Sequence, residues 1–541
     1  MASSRTLRRL ALASGLVLAA QATGPAWAQA ARPENRNNLP ALGDTASEDV
    51  SVANERRIGD RIMRDIRRDP DYLDDPILLE YMQTMWAELL RSARASGQIP
   101  PELDERFAWE LFLVRDRTVN AFALPGGYTG IHLGLIAMTA SPDELASVVA
   151  HELSHITQRH IARSVGASKT TSLVGIAGLI LGVLAASRSP DAAQALIVGG
   201  QAAAVQGQLN YSRDAEREAD RVGFSVLTGA GYAPAGMPAM FEKLLQASRL
   251  NDSQNYPYLR SHPLTTERIG DARSRLGVGL FTAPPRPVVH ALMQARARVL
   301  MDPRDAALQR AQDYDAQAAL AAGASTTDRL AALYASALAS VLRRDGARAE
   351  KALASARALE LADASAAREL DALALQAALA RGDGARSEAL LAKLAAQPAE
   401  PVAAGTPARG AEAPPASVVA RPLLLARAQR ALLPDGAAQQ RATAERLQTW
   451  VAEHPMDATA WGLLASLWEA QSQPLRAARA AAEQRYARGD VSGAVERLRA
   501  AQRGTRAASG PDFIEASVIE ARLKDLETQR RIFAREERGE P

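Results

Sequence analysis

The stretch "VVAHELSHITQRH", residues Val148–His160, places His151 and His155 four residues apart, with Glu152 directly after the first histidine. Side chains four residues apart lie on one face of an α-helix. Two imidazoles at that spacing can hold one zinc ion, and a glutamate beside them can act as general base toward a water on the metal. Polar side chains on a partly exposed helix are the plainer interpretation, so the choice depends on the surrounding sequence.

The residues around this motif predict a buried helix. Ser141 suits the cap, Pro142 the first helical position and Glu144 a capping box, so the helix should run in register through the motif. Its inner neighbours are apolar: Val148, Val149, Ala150, Leu153 and Ile156. Five of the seven histidines lie between His132 and His262. Buried histidines and a buried glutamate need polar partners, which a metal and its water supply.

A candidate for a third ligand lies in "NYSRDAEREADRVG", Asn210–Gly223. On a helix of this period, Glu216 and Asp220 share one face, one turn apart, whereas Glu218 points elsewhere. A catalytic zinc needs a third protein ligand, and Glu216 can be that ligand. Asp220 would then accept a hydrogen bond from the far nitrogen of a ligand histidine and fix its tautomer. Taken alone, so charged a stretch is more typical of a solvated face with ordinary ion pairs.

The motifs HExxH at 151–155 and SRxxExxAD at 212–220 together resemble the M48 peptidases, a family of zinc-dependent gluzincins. "NAFALPGG" at 120–127 and "SHPLTTERI" at 261–269 are similar to the same family. Four motifs in this order are far more specific than HExxH alone. The signal sequence and helical C-terminal region described below are similar to the periplasmic branch of the family.

The resemblance implies that His151, His155 and Glu216 bind one zinc ion per chain and that Glu152 is the catalytic base of peptide-bond hydrolysis. His262 lies where the periplasmic branch carries a histidine that approaches the zinc. It would either occupy the open coordination position or stabilise the oxyanion during turnover. A purely structural role in its loop is the alternative.

The resemblance also implies a substrate-binding strand. Asn120, Ala121, Phe122 and Ala123 would belong to an edge strand, Asn120–Leu124, that binds an extended substrate by strand addition. An ordinary hairpin, turned by the two glycines that follow, is the alternative interpretation of this stretch.

Hydrophobic periodicity predicts helices at Val50–Arg67 and Pro76–Ser96. Alternation predicts a strand at Phe107–Val114, and Asn120–Ile136 predicts a strand, a Pro-Gly-Gly turn and a second extended piece. We therefore expect a mainly α fold, in which a gluzincin-type metalloprotease domain with a small β-sheet occupies residues 47–281.

The proline-rich residues 282–289 predict a linker. Beyond them, at 290–541, helix–turn–helix units with alanine at the tight contacts predict an α-helical, tetratricopeptide-like solenoid. The piece "RYARGDVSGAVERLRAA" at 485–501 resembles the second half of such a repeat. Residues 397–422 are of low complexity and predict a solvated loop.

The first 30 residues are typical of a secretory signal. Arg5, Arg8 and Arg9 precede the apolar Leu10–Ala20, and the small residues of Ala26–Ala30 offer cleavage sites. An uncleaved anchor is the alternative, although the apolar run is short for a membrane span. We expect cleavage, then a flexible lead-in at 31–46, and a protein that works in the periplasm.

Composition excludes several other classes of site and partner. The absence of cysteine excludes disulfides, thiolate metal sites and a cysteine nucleophile. Without the three signal arginines, basic and acidic side chains balance at 61 each, so charge gives no case for nucleic-acid binding.

A second apolar region lies at Ser172–Val205, where two apolar runs flank a short polar turn. It predicts a helical hairpin that contacts a membrane surface peripherally or covers the active site. Buried core helices are an equal alternative.

The resemblance thus implies a zinc-dependent endopeptidase that acts on misfolded or stalled outer-membrane proteins. The helical repeats would recruit these clients or the outer-membrane assembly machinery. One alternative is a periplasmic chaperone or scaffold for outer-membrane protein assembly, with a latched or little-used protease site. Another is a membrane-associated protease that uses the apolar region at 172–205.

Overall fold

The computed structural model describes residues 50–166, 213–250, 256–276, 287–316, 323–359, 363–397, 421–504 and 511–537. The expected signal peptide, the lead-in and the apolar region at 172–205 lie outside the described residues, as does 398–420 of the low-complexity stretch. Helices dominate the described part, and they surround one small sheet.

The first half of the described chain carries the sheet and the helices around it. Its elements are α1 (Val52–Arg68), β1 (Tyr72–Leu73), α2 (Pro76–Ala95), α3 (Pro101–Arg106), β2 (Glu110–Val114), β3 (Ala121–Leu124), β4 (Tyr128–His132), α4 (Leu133–Met138), α5 (Pro142–Thr157), α6 (His160–Gly166), α7 (Arg213–Gly229), α8 (Gly236–Leu250), α9 (Pro257–Ser261) and α10 (Thr266–Ser274).

The sheet has the strand order β1-β2-β4-β3. Strands β2 and β4 are parallel, with Phe112 opposite Gly130, whereas β3 pairs antiparallel with β4, with Ala123 opposite Thr129. Strand β3 is therefore at one edge of the sheet, and it packs against α5.

Two predicted strands are shorter in the structure. The predicted Phe107–Val114 is extended in the sheet only from Glu110, because α3 ends just before it and Trp109 adopts a left-handed φ of 50°. The second extended piece of Asn120–Ile136 ends at His132, where α4 begins. Between β3 and β4 the chain turns through Gly126 and Gly127, whose φ values of 79° and 89° favour glycine.

Helix α5 begins as the sequence predicts and runs through the core. The Ser141 hydroxyl accepts a hydrogen bond from the Glu144 N–H (3.2 Å), and Pro142 is the first helical residue. The Glu144 carboxylate accepts from the Ala140 N–H (2.6 Å), one residue before the cap. Every residue of α5 except Asp143 is buried. A buried helix holds its polar side chains in place only if each finds a partner.

The second half is helical throughout its described residues. Its elements are α11 (Val288–Leu300), α12 (Asp305–Gln312), α13 (Thr326–Leu342), α14 (Gly346–Arg357), α15 (Ala364–Ala380), α16 (Gly384–Ala395), α17 (Arg421–Ala431), a 3₁₀ turn (Ala437–Gln439), α18 (Gln440–Glu453), α19 (Ala458–Ala470), α20 (Pro474–Ala487), α21 (Val491–Gly504) and α22 (Pro511–Glu537). From α13 onward, each helix packs against the next.

Helix α11 starts inside the predicted linker and joins the two halves. Its buried Arg296 donates two hydrogen bonds to the Asp75 carboxylate (2.6 and 2.8 Å) and one to the Tyr334 hydroxyl (3.0 Å). One continuous apolar core runs from α1 through α5 and α11 to α15. The two sides of the predicted domain boundary therefore share one apolar core.

No helix within the described ranges combines the length and the apolar character that crossing a membrane requires.

Candidate metal centre

Four buried side chains converge in the core between α5, α7 and α9. They are His151, His155, Glu216 and His262, and each offers a ligand atom within 4.8 Å of the others. Three of them are the predicted metal ligands, and the fourth is the histidine predicted to approach the metal.

Helices α5 and α7 bring the first three together. The Nε2 atoms of His151 and His155 lie 2.9 Å apart. Glu216 places Oε2 3.6 Å from Nε2 of His151 and Oε1 3.4 Å from Nε2 of His155. Helix α7 can approach this closely because Gly223 faces the backbone of α5, where an added Cβ would lie 3.2 Å from the Ala150 carbonyl oxygen.

His262 directly follows α9 and closes the cluster from a third side. Its Nδ1 lies 2.9 Å from Oε1 of Glu216, and its Nε2 lies 3.4 Å from Oε1 of Glu152. The ring of Tyr258 stacks on it, with centroids 4.7 Å apart. His262 is thus held beside both a predicted ligand and the predicted base.

His151 has a carboxylate behind it. Its Nδ1 lies 2.9 Å from Oδ1 of Asp220, on the side of the ring away from the cluster. Asp220 also accepts two hydrogen bonds from Arg268 (2.7 and 2.8 Å), and Arg268 forms an ion pair with Glu216 (2.7 Å). The 2.9 Å distance between Asp220 and His151 is short enough for a carboxylate that orients a ligand histidine.

His155 has a second histidine behind it. Its Nδ1 lies 2.8 Å from Nδ1 of His160, whose Nε2 lies 3.0 Å from Oε2 of Glu218. Arg163 donates a hydrogen bond to the same Glu218 oxygen (2.9 Å). Both predicted ligand histidines therefore turn Nε2 inward and Nδ1 toward an outer partner.

A break in the helix makes this second arrangement possible. Arg159, between α5 and α6, has a left-handed φ of 52°, which costs a residue with a Cβ about 1–2 kcal/mol. Its side chain is held by the buried Glu55 (2.8 Å) and by the Val50 carbonyl oxygen (2.6 Å). The helix is interrupted there, and the ring of His160 lies against that of His155.

The charges of the cluster shift the pKa values in opposite directions. Burial lowers the pKa of His155 well below its ordinary value. Burial also opposes charge on His262, but the carboxylates of Glu216 and Glu152 outweigh it and raise its pKa. Burial alone would raise the pKa of Glu216, yet the histidines, His262 first, hold it far below its ordinary value.

The residues fit a zinc ion. Two neutral imidazoles and a carboxylate are a known ligand set for catalytic zinc, with a further position open to water or substrate. Both carboxylate oxygens of Glu152 are buried without a hydrogen-bond partner among the described residues. A fully buried carboxylate in that condition is costly unless a cation or a water completes the site.

The predicted substrate-binding residues belong to the sheet edge and are not members of the four-residue cluster. Ala121, Phe122 and Ala123 belong to the edge strand β3, and the Asn120 carbonyl oxygen accepts a hydrogen bond from the His132 N–H (3.1 Å). Strand β3 packs on α5, the helix that carries the two predicted ligand histidines.

Sequence reasoning did not assign four residues that the structure places around the cluster: His160, Glu218, Arg268 and Tyr258. His160 ends the quoted stretch, and its five-residue spacing from His155 excludes a shared face on an unbroken helix. Arg268 lies in the quoted SHPLTTERI motif, but nothing local indicates that it pairs with α7. The hydroxyl of Tyr258 is buried without a hydrogen-bond partner in the described part of the chain.

Comparison with known proteins adds to this geometry. The family model described as Peptidase family M48 matches residues 80–276. The chain is 38% identical to the putative beta-barrel assembly-enhancing protease of Vibrio cholerae, over 44% of this chain and 47% of that protein. It is 32% identical to the beta-barrel assembly-enhancing protease of Escherichia coli K12, over 46% of this chain and 48% of that protein.

A more distant relative comes from a eukaryote. The mitochondrial metalloendopeptidase OMA1 of Arabidopsis thaliana is 28% identical over 42% of this chain and 42% of that protein. The chain spans about half the length of the curated relatives it matches. The matched region holds the described cluster, whereas the whole of the second helical half lies beyond the family model.

Proposed function

We propose that the protein, whose residues 80–276 match the Peptidase family M48 model, is a zinc-dependent endopeptidase of the cell envelope. The observation that carries this proposal is the buried cluster of His151, His155, Glu216 and His262, beside which the Glu152 carboxylate accepts no hydrogen bond from the described residues. A structural cluster of histidines would not need a buried acid without a hydrogen-bond partner.

His151, His155 and Glu216 would hold the zinc ion, through the imidazole Nε2 atoms and a carboxylate oxygen. When bound, zinc supplies a Lewis acid that polarises the scissile carbonyl and makes water acidic enough to attack at neutral pH. Asp220, whose Oδ1 lies 2.9 Å from Nδ1 of His151, would orient this ring as its outer carboxylate.

Glu152 is the proposed general base. It follows His151 on α5, and its fully buried carboxylate is aimed toward the side of the cluster that His262 closes. It takes a proton from the attacking water and passes it to the leaving amine, so no covalent intermediate forms.

His262 takes one of two roles. With Nδ1 2.9 Å from Glu216, it can fill the open ligand position and keep the enzyme latched. With Nε2 toward Glu152, it can instead donate to the oxyanion once substrate is bound. The two roles predict opposite effects of removing the ring.

The substrate would bind as an extended strand along β3. Asn120, Ala121, Phe122 and Ala123 belong to or adjoin the sheet edge, and an edge strand offers backbone groups to an added strand. Packing of β3 on α5 supports this proposal, because strand addition there brings a peptide next to the helix of the cluster.

We infer the clients and the compartment from the relatives' names together with the signal-like first 30 residues. Clients would be misfolded or stalled outer-membrane proteins in the periplasm. The helices from α13 to α22, each packed on the next, would form a tetratricopeptide-like solenoid that recruits these clients or an assembly machine. No role of nucleic acid is proposed.

A second candidate is a chaperone or scaffold for outer-membrane protein assembly, with its protease site latched. The position of His262 against both Glu216 and Glu152 favours it, because a closed cluster would bind zinc without admitting substrate. Assembly activity that survives Glu152→Gln would support this candidate over the protease.

The test compares zinc content and casein cleavage for the full chain, Glu152→Gln and His262→Ala. The exposed Glu445→Gln serves as the matched control. We expect one zinc per chain in all four proteins, a loss of about 10²–10⁴-fold in cleavage for Glu152→Gln and no loss for Glu445→Gln. If His262→Ala cleaves casein faster than the parent, His262 is a latch. If His262→Ala no longer cleaves casein, His262 has a catalytic role. A parent protein without zinc, or cleavage that does not depend on Glu152, overturns the proposal.

A further inference from the structure

The partner behind His155 is a histidine, although a ligand histidine is ordinarily oriented by a carboxylate, a carbonyl or a water. The Nδ1 atoms of His155 and His160 lie 2.8 Å apart, so one of them donates a proton and the other accepts it. Which one donates decides whether Nε2 of His155 can bind a metal, because a protonated nitrogen has no lone pair to offer.

The carboxylate of Glu218 decides that direction. A carboxylate only accepts hydrogen bonds, and Glu218 lies 3.0 Å from Nε2 of His160, so this nitrogen carries the proton. Nδ1 of His160 then accepts a hydrogen bond from the Nδ1–H of His155. The remaining nitrogen of His155, Nε2, is left without a proton and faces Glu216 and His151.

The backbone is built to bring His160 to this place. On an unbroken helix, residues five apart lie about 140° from each other, and His160 would face away from His155. The left-handed Arg159 separates α5 from α6, and its guanidinium donates hydrogen bonds to the buried Glu55 and to the Val50 carbonyl oxygen. His160 itself is 2% exposed, so the contact is shielded from water.

We propose that His160 and Glu218 are positioning residues, a two-step relay that fixes the tautomer in which His155 presents Nε2 to the metal. This inference rests on the proposed zinc site and extends it to residues outside the ligand set. Neither residue touches the substrate or the reacting atoms. Both act through His155.

The test measures the zinc affinity of the full chain by competition with a chelator and the absorption spectrum of the Co²⁺-loaded protein. His160→Leu removes the acceptor and should weaken zinc binding about 10–100-fold. His160→Asn keeps a side-chain oxygen near the position of Nδ1, and it should bind within about threefold of the parent and keep the parental Co²⁺ spectrum. Rescue by asparagine separates a relay from mere packing.

Glu218→Ala probes the same relay from its outer end, where a variant is expected to fold even if His160→Leu does not. We expect weaker zinc binding in the same direction, with a smaller factor, whereas the control Asp214→Ala on the same helix, 91% exposed at its side chain, should bind as the parent does. Parental affinity in both His160→Leu and Glu218→Ala overturns the relay, as does an asparagine variant as weak as the leucine one. A parent chain that binds no zinc overturns the proposed function as well, so the two failures are distinguishable.

Discussion

The two predicted ligand histidines, His151 and His155, stand on the same helix, yet they are supported from behind in different ways. His151 meets a carboxylate directly, since Asp220 lies 2.9 Å from its Nδ1 and is backed by the buried Arg268. His155 reaches a carboxylate only through His160, and the end of its chain is Arg163, whose side chain is 49% exposed.

The difference shows how one helix can supply both supports. Asp220 and Glu218 both belong to α7, but they leave it in different directions, so only one of them can reach the cluster side of α5. Glu218, on the other side, reaches His155 through His160, which the helix break at Arg159 places beside His155. Burial should make the His151 support the stronger one, because buried charges without partners are expensive and exposed ones are not.

The largest difference between the two supports is expected when Arg268 is replaced. Arg268→Leu leaves the buried carboxylates of Asp220 and Glu216 facing each other, and the metal-free protein should lose about 3–5 kcal/mol in unfolding free energy. Urea denaturation measures this loss. Arg268→Lys, which keeps the charge but not the paired geometry, should recover part of it. A loss below about 1 kcal/mol would contradict the strong-support interpretation.

The next largest effect is expected at Asp220. Asp220→Asn removes the negative charge that holds the proton on Nδ1 of His151, so zinc affinity should fall about 10–100-fold in a chelator competition. Asp214→Asn, on the same helix but exposed, is the control. If Glu218→Ala weakens zinc binding more than Asp220→Asn does, the ranking of the two supports is reversed.

The support of His155 carries a pH dependence through Glu55. Burial raises the pKa of Glu55, and the Arg159 guanidinium opposes this only in part. The folded state therefore binds more protons than the unfolded state between the two pKa values, and stability falls as the pH rises through that window, which starts near the ordinary value of about 4.3. Urea titrations of the metal-free protein and Glu55→Gln should show a shallower fall of stability with pH in the variant than in the parent, because the other buried carboxyls remain in both. A parent that gains stability over Glu55→Gln with rising pH would refute the assignment.

The smallest effect is expected at the outer end of the His155 support. Arg163→Ala breaks a half-exposed ion pair with Glu218, so unfolding free energy should change by less than about 1 kcal/mol. Arg217→Ala, which breaks a similar pair with Asp214, is the matched control in the same urea experiment. A loss approaching that of Arg268→Leu would mean that exposure does not separate the two supports.

Local spacing was enough to predict much of the candidate site. His151, Glu152 and His155 lie within one helical stretch, and the period of α7 placed Glu216 and Asp220 on one face, so their convergence needed only the packing of two helices. His262 was predicted from the family resemblance, since nothing in its own short loop indicates where α9 ends in space.

The features that the sequence did not predict depend on contacts between residues far apart in the chain. Nothing near Arg159 predicts a left-handed turn, because the partner that holds it, Glu55, is about 100 residues away. Trp109 shortens β2 by a similar local departure. The alanine-rich helices after 288 are predicted well as helices, but similar small contact residues leave the arrangement of the repeats unspecified.

The contacts of helix α11 predict the result of truncating the chain between its two halves. Its Arg296 is buried against Asp75 of the first half, and its Leu292 and Met293 belong to the continuous apolar core. A fragment that stops at the proline-rich stretch would lose these partners, uncover part of its core and leave Asp75 without its counter-ion. The first half is therefore expected to melt as one cooperative unit with the helices that follow, and to be a poor candidate for isolated expression.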